Sequence, residues 1–169
     1  FEGSLKENVL HGSDYDEDRY RQALHAACLL NDIEVLPGHD EAPVGGRGIT
    51  LSGGQKARVS MARAAYSKSE LVLIDDPFAA VDALVGQHLH QHLLNGKLLK
   101  NRTLVVVCQP VPERLKSFDW VVVMEEGKFE VQGKPESVIA SEAFSKLLCT
   151  NQGSEQEQEE PAPAAQPVA

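Results

Sequence analysis

The chain has 169 residues, of which 42% are hydrophobic and 24% are charged. This balance allows one cored domain, or part of one, and excludes a wholly disordered, collagen-like or coiled-coil chain. The formal net charge of −9 argues against a surface that coats nucleic acid or docks tightly on anionic lipid. No run of 18 apolar residues and no signal-peptide pattern occurs, and the initial Phe indicates a fragment of a longer protein.

The three cysteines are scattered along the chain, which fits neither a CxxC metal pair nor an even disulfide set. We therefore expect free, mostly buried thiols and a reducing compartment.

The first part of the chain predicts helices and one glycine-rich loop. Residues 1–12 form a short amphipathic segment closed by Gly12, and residues 16–30 carry acids followed by apolar positions at helical spacing. Residues 37–48 hold six Gly or Pro in twelve positions, which predicts a loop. A further helix begins at the double glycine after Ser52, with Val59, Ala62 and Ala65 on one face.

The second part of the chain alternates apolar runs with helical segments. Two short all-apolar runs, Leu71–Ile74 and Leu104–Val107, are typical of parallel strands buried on both faces. The other predicted elements are a helix over about 79–95, a hairpin around Glu125–Gly127, a helix or helix pair over 135–148, and a solvated acidic Pro/Ala-rich tail over 151–169. The order predicts an α/β sheet with parallel central strands and an antiparallel edge.

The strongest chemical signal is the segment Leu51-Ser52-Gly53-Gly54-Gln55 at a predicted helix start. Backbone N–H groups bared by paired glycines, together with a serine hydroxyl, form an anion site suited to phosphate. A glycine-rich helix cap without a ligand is about equally probable for these residues alone. The apolar strand that follows and ends in Asp75-Asp76 argues against the interpretation as a helix cap without a ligand.

These residues carry a resemblance to a family. Residues 1–148 resemble the later two-thirds of an ATP-binding-cassette (ABC) transporter nucleotide-binding domain, with LSGGQ and the following helix similar to its signature motif. Leu71–Asp76 resembles the Walker B strand, and 79–82, ending in Asp82, resembles the D-loop. Two sequence segments, residues 3–9 and 75–83, are most similar to the first nucleotide-binding domain of C-subfamily, multidrug-resistance-protein-like exporters.

The resemblance implies a P-loop NTPase-like fold, incomplete here, with part of a helical signature subdomain over 1–66 and the Walker B and later α/β part over 67–150. In the family, two such domains meet head to tail with ATP between them. The residues implied to bind the ATP held by the partner domain are Leu51, Ser52, Gly53, Gly54 and Gln55. Of these, Ser52, Gly53 and Gly54 would grip its γ-phosphate, and Asp82, also assigned to ATP binding, would lie across the interface. Asp75 would hold Mg²⁺.

The resemblance also implies the protein's setting. The implied partners are a second nucleotide-binding domain and transmembrane domains of the same transporter, and nucleic acid is not among them. The implied location is the cytosolic face of a membrane. The tail is expected to lead to another membrane domain, and the alternative is a true C-terminus.

Three departures from the family pattern qualify the site. No GxxxxGK[ST] loop occurs in this sequence, so the phosphate-cradling loop is expected upstream of residue 1 or is absent. Asp76 stands where the family usually has a catalytic Glu, and one methylene fewer withdraws the carboxylate by roughly 1.5 Å. Gln109 replaces the switch His, and Gln cannot shuttle a proton. We therefore expect a poorly hydrolysing site at Asp75, Asp76 and Gln109, and an inactive isolated fragment.

Two other functional interpretations compete with that of an ATP-driven exporter domain. A regulatory ATP-binding module without significant hydrolysis belongs to a different class, and the DNA-repair and chromosome-organising ABC ATPases also carry a signature motif. The sequence lacks their coiled-coil insertion, which disfavours the latter. The pair Asp75 and Asp76 could suggest acid–base catalysis, but adjacent strand residues point to opposite faces.

Three histidines, His88, His90 and His92, alternate within the second helical segment. His88 and His92 could share a helix face as zinc ligands do. Because no HExxH pattern and no third ligand is evident, we interpret them as solvated helix residues.

Overall fold

A computed structural model describes residues 2–45, 50–79 and 81–156, the last six of these by backbone alone. The chain divides into two compact units, one ending at Gln109 and the other beginning at Pro110. The described strands form three two-stranded sheets, one of them parallel and two antiparallel. The predicted mixture of parallel strands, an antiparallel hairpin and helices is therefore confirmed.

The first unit opens with a short strand and a capped helix. Strand β1 (Gly3–Ser4) pairs antiparallel with β2 (Pro43–Val44) and runs directly into helix α1 (Leu5–Leu10). The Ser4 hydroxyl accepts the Glu7 N–H while the Glu7 carboxylate accepts the Ser4 N–H, which satisfies two amides at the helix start. The segment closes at Gly12 as predicted, and both His11 and Gly12 have left-handed backbone.

The predicted helix over 16–30 is two helices, α2 (Glu17–Ala26) and α3 (Leu30–Val35). The break lies at Cys28, whose φ of 56° is left-handed. The N–H groups of Cys28 and Leu29 donate back to carbonyls in the last turns of α2, which is the Schellman arrangement that ends helices. The expectation of one helix was wrong because this stop signal is made without the usual glycine.

The predicted loop over 37–48 contains a 3₁₀ turn (His39–Glu41) and strand β2, and its residues 46–48 lie outside the described part of the chain.

Helix α4 (Gly53–Tyr66) begins at the double glycine as predicted. Its inner face buries Val59, Ala62 and Ala65, and α4 packs against α1 and α2. At the other end of the helix, the Arg19 guanidinium from α2 donates to the backbone carbonyl oxygens of Ala65, Tyr66 and Ser67 at 3.1, 2.6 and 2.7 Å. The long helix is thus fixed at its C-terminal end by α2.

Strands β3 (Leu71–Asp75) and β4 (Thr103–Val107) pair in parallel register, with Asp75 opposite Val107. Val72 and Ile74 of β3 are buried. Burial on both faces was a wrong expectation, because among the described residues only one face of the pair is covered. The exposed face carries Leu71, Leu73, Val105 and Val107.

The second helical segment begins at Ala83, later than predicted, as α5 (Ala83–His88) and continues as a π-helix (Leu89–Leu94). It buries Leu89, Leu93 and Leu94.

The described part of the second unit, residues 110–156, contains a hairpin and three helices. Strands β5 (Val121–Glu125) and β6 (Lys128–Gly133) are joined by the two-residue turn Glu126-Gly127, both left-handed, as hairpin turns require. The helices are α6 (Pro112–Leu115), α7 (Pro135–Ile139) and α8 (Glu142–Gln156).

Helix α8 runs through Gln156, so the tail predicted from residue 151 begins with helix. The remainder of that tail, 157–169, lies outside the described residues. Within the described ranges, no helix is both long enough and apolar enough to cross a bilayer.

Candidate functional site

The turn formed by Leu51 to Gln55, here called the signature turn, is held by a reciprocal cap. The Ser52 hydroxyl accepts the Gln55 N–H at 3.1 Å, and the Gln55 side-chain oxygen Oε1 accepts the Ser52 N–H at 2.9 Å. Leu51 is buried, whereas Ser52 and Gly53 are exposed. The turn is therefore anchored from inside and presents its polar groups outward.

The exposed side of the signature turn fits an anion. The N–H groups of Gly53 and Gly54 lie in the first turn of α4, where amides have no partner within the helix. A Cβ added at Gly53 would meet no atom within 4 Å. The fold itself does not need a glycine there, so the missing side chain leaves room for an approaching group. A helix N-terminus of this kind favours phosphate.

A part-buried ion pair supports the turn from behind. Asp32 on α3 accepts a hydrogen bond from the side-chain amide nitrogen Nε2 of Gln55 at 2.9 Å. Asp32 also forms an ion pair with Arg58, whose Nη1 lies 2.9 Å from Asp32 Oδ2. The side chains of Arg58 and Asp32 are 13% and 20% exposed, respectively. Sequence reasoning missed both residues, because their contacts join positions 23 and 26 residues apart along the chain.

The carboxylates at the end of β3 are placed differently from each other. Asp75 is the last residue of the strand and is exposed. Asp76 follows in left-handed backbone with φ of 38°, and its Oδ1 atom is buried with no hydrogen-bond partner among the described residues. A buried polar atom without a partner marks a position where a polar ligand would be favourable.

Gln109 follows β4 at the same edge of the sheet. The Asp76 N–H donates to the Val107 carbonyl oxygen at 2.8 Å, so Asp76 is tied to β4 two residues before Gln109. Gln109 is exposed. The parallel pairing thus brings together the ends of β3 and β4, as expected for parallel strands.

Asp82 caps helix α5, because its carboxylate accepts the Val85 N–H at 2.9 Å. Of the predicted D-loop, Ala80 lies outside the described residues. The site residues therefore lie at three places in the first unit: the N-terminus of α4, the shared edge of β3 and β4, and the N-terminus of α5.

The histidine segment contains a contact that the sequence did not predict. The rings of His88 and His92 each lie 4.9 Å from the ring of His25 on α2, and 4.4 Å from each other, measured between ring centroids. The His88 Nε2 atom lies 2.6 Å from the His25 carbonyl oxygen. The interpretation as merely solvated residues was wrong for His88, which is half-buried and hydrogen-bonded.

Burial lowers the pKa of His25, and the neighbouring rings of His88 and His92 lower it further. Across the part of the chain that the structure describes, no three His, Cys, Asp or Glu side chains are placed to hold a metal ion.

Comparison with known proteins agrees with the geometry. Residues 3–79 match the family model described as ABC transporter, a range that includes the signature turn and both β3 carboxylates but neither Asp82 nor Gln109. The chain is 43% identical over 151 residues to ATP-binding cassette sub-family C member 2 of Homo sapiens, covering 88% of this chain and 10% of that protein.

Two further relatives match 90% or more of this chain. Identity is 41% over 152 residues to ABC transporter 7 of Pyricularia oryzae, covering 90% of this chain and 9% of that protein. Identity is 36% over 166 residues to Multidrug resistance protein fer6 of Mycosarcoma maydis, covering 98% of this chain and 12% of that protein. The chain therefore spans only a small part of the length of the relatives it matches.

Proposed function

We propose that this chain, which belongs to the ABC transporter family, is part of a nucleotide-binding domain that couples ATP binding and hydrolysis to export of a solute across a membrane. The observation that carries the proposal is the signature turn, where exposed Ser52 and an unobstructed Gly53 stand at the start of a 14-residue helix. The printed names of its relatives include an ABC transporter and a multidrug resistance protein.

The signature turn would act on ATP bound to a partner domain. Ser52, Gly53 and Gly54 would donate hydrogen bonds to the γ-phosphate, while Leu51 anchors the turn and Gln55 closes the cap. These donors are oriented before ATP arrives, because the cap and the start of α4 already fix them. Asp82 would lie at the interface with the partner domain, where its carboxylate also caps α5.

The carboxylates of β3 would serve this domain's own nucleotide. Asp75, exposed at the strand end, would hold Mg²⁺ through oxygen, the ligand that Mg²⁺ prefers. When bound, Mg²⁺ neutralises charge that develops on the phosphate oxygens. The buried Oδ1 of Asp76, which lacks a partner in the described structure, fits a contact to the attacking water.

We expect the domain's own site to hydrolyse ATP slowly. The shorter side chain of Asp76 withdraws its carboxylate, and a misplacement of about 1 Å can cost about a hundredfold in rate. Gln109 can orient a group by hydrogen bonding but cannot transfer a proton, a contribution of about a hundredfold or more where it applies. The signature turn, by contrast, is complete, so the partner's site would be the faster one.

The proposed partners are a second nucleotide-binding domain, arranged head to tail, and transmembrane domains of the same transporter. The domain would work at the cytosolic face of the membrane and would bind no nucleic acid, consistent with the net charge of −9.

The test uses the full-length transporter with Gly54→Asp, which disables the partner's site and leaves the site built on β3. On that background, Asp76→Glu with Gln109→His should raise ATP turnover by about a hundredfold. The control is Asp18→Glu with Gln132→His, the same chemical changes at exposed positions that are not among the proposed site residues, which should not change turnover.

Two outcomes would alter the proposal. Equal turnover at both sites of the unmodified transporter would refute the asymmetry. The second candidate function is a regulatory ATP-binding module, which the presence of Asp76 and Gln109 in place of Glu and His also favours. If the variant with Asp76→Glu and Gln109→His binds ATP without any gain of turnover, this second function is supported.

A further inference from the structure

We propose that Asp32 on helix α3 is a positioning residue for the signature turn, acting through the side-chain amide of Gln55. The inference rests on the proposed function of that turn in binding the partner's ATP. Asp32 itself contacts no nucleotide in this scheme. Its role is to select one orientation of the Gln55 amide and to hold it there.

The orientation of Gln55 is set by its two neighbours. The Ser52 N–H needs an acceptor and finds Oε1 of Gln55 at 2.9 Å. The amide nitrogen Nε2 therefore faces Asp32, whose Oδ1 lies 2.9 Å away. An ionised carboxylate can only accept hydrogen bonds, so it fixes the donor side of the amide toward itself. With the amide reversed, two donors would meet at Ser52 and two acceptors at Asp32.

Arg58, which lies on helix α4, holds Asp32 in place. Its Nη1 lies 2.9 Å from Asp32 Oδ2, and its Nη2 lies 3.3 Å from Asp32 Oδ1. This two-pronged contact fixes both the position and the plane of the carboxylate. The same Arg58 Nη1 donates to the Cys28 carbonyl oxygen at 2.6 Å, at the turn between α2 and α3.

The consequence is a physical connection between two helices and the turn. A displacement of α3 relative to α4 would change the Asp32 contact, then the Gln55 amide, and then the cap that orients Ser52. Because catalysis depends on donors held within a fraction of an ångström, a loosened cap should lower the rate at the partner's site.

The experiment is a pair of substitutions in the full-length transporter. Gln55→Glu keeps an acceptor for the Ser52 N–H but sets a second carboxylate oxygen against Asp32, so turnover at the partner's site should fall about tenfold or more. Asp32→Asn with Gln55→Glu restores a donor opposite the new carboxylate and keeps the local charge unchanged. The Asn oxygen still accepts from Arg58 Nη1, and only the longer contact with Nη2 is lost. Turnover should return to within about threefold of the unmodified rate.

The readout separates positioning from simple loss of stability. ATP turnover per folded molecule, its KM and the thermal midpoint are measured together. Positioning predicts a fall in kcat with little change in the thermal midpoint, followed by rescue in the double variant. The control is Glu41→Gln, which breaks the exposed ion pair with Lys6 at 3.0 Å. Neither residue lies on α3 or α4, so kcat should stay unchanged.

Failure of this inference differs from failure of the proposed function. If Gly54→Asp abolishes partner-site turnover but Gln55→Glu does not change kcat, the signature turn works and Asp32 does not position it. If the double variant stays as slow as Gln55→Glu alone, the pairing of positions 32 and 55 is also refuted. If Gly54→Asp has no effect on turnover, the proposed function itself is wrong.

Discussion

Substitution Gly53→Ala should make the domain more stable and less active. Gly53 is the first residue of α4 and has ordinary helical backbone, and a Cβ there would meet no atom within 4 Å. Replacing Gly by Ala at a compatible position stabilises a protein by about 0.4–1 kcal/mol, chiefly by restricting the unfolded chain. We take about 0.5 kcal/mol, because helix propensity counts less in the first turn than in the interior.

The change in stability and the change in ATP turnover are both measured on the full-length protein. A gain of about 0.5 kcal/mol corresponds to a rise of roughly 1–2 °C in the thermal midpoint of a domain of this size. Turnover at the partner's site should fall about a hundredfold, because the new methyl group occupies the space through which phosphate approaches the first-turn N–H groups.

Gly127→Ala is the matched control. A Cβ at Gly127 also meets no atom within 4 Å, but its φ of +76° is left-handed. Alanine is strained there, so the domain should lose about 1 kcal/mol or more while turnover per folded molecule stays the same. A loss of stability in Gly53→Ala would show that the glycine serves the helix cap. Unchanged turnover would refute a ligand at the signature turn.

Three further predictions concern stability. The pKa of His25 is lowered in the folded state, so as pH falls below the unfolded value of 6.5 the unfolded chain binds the extra proton and the free energy of unfolding decreases. His25→Gln should reduce this decrease when the free energy of unfolding of the full-length protein is measured by chemical denaturation from pH 7 to pH 5. An unchanged pH dependence would contradict the burial of His25 and its contacts with the rings of His88 and His92. Phe144→Ala should cost about 3–5 kcal/mol, because Phe144 is 1% exposed, whereas Phe129→Ala, at an exposed position, should change the same denaturation midpoint little. The isolated chain should show no cooperative, ATP-stabilised thermal transition, because the apolar face of β3 and β4 is exposed.

Much of the site could be predicted because its determinants are local in sequence. The start of α4 follows from Ser52 and Gln55, a serine followed three residues later by a glutamine, which is the capping-box pattern. The apolar run that ends at Asp75 specifies β3, and parallel pairing then accounts for the nearness of Asp76 to β4.

The features that were missed depend on contacts between distant residues. The helix break at Cys28 uses a non-glycine residue in left-handed backbone, and the buried Leu29 that follows it favours that arrangement. The ring contact between His25 and His88 joins α2 to α5 across 63 residues of sequence. Exposure of one face of β3 depends on what covers the sheet, which periodicity within a strand does not show.

The separate support of the two groups of site residues implies that their defects should be separable. The signature turn is held by Gln55, Asp32 and Arg58 from the helical side, whereas Asp76 is held by its backbone hydrogen bond to β4. A change in the helical support should therefore affect the partner's ATP, and a change at the β3 edge should affect the domain's own ATP. Contacts that do not share a partner contribute nearly additively. In the variant that combines Gln55→Glu with Asp76→Glu, turnover at each site should thus change by the same factor as in the single variant that affects that site. A strongly non-additive result would mean that the two groups are coupled through the partner domain.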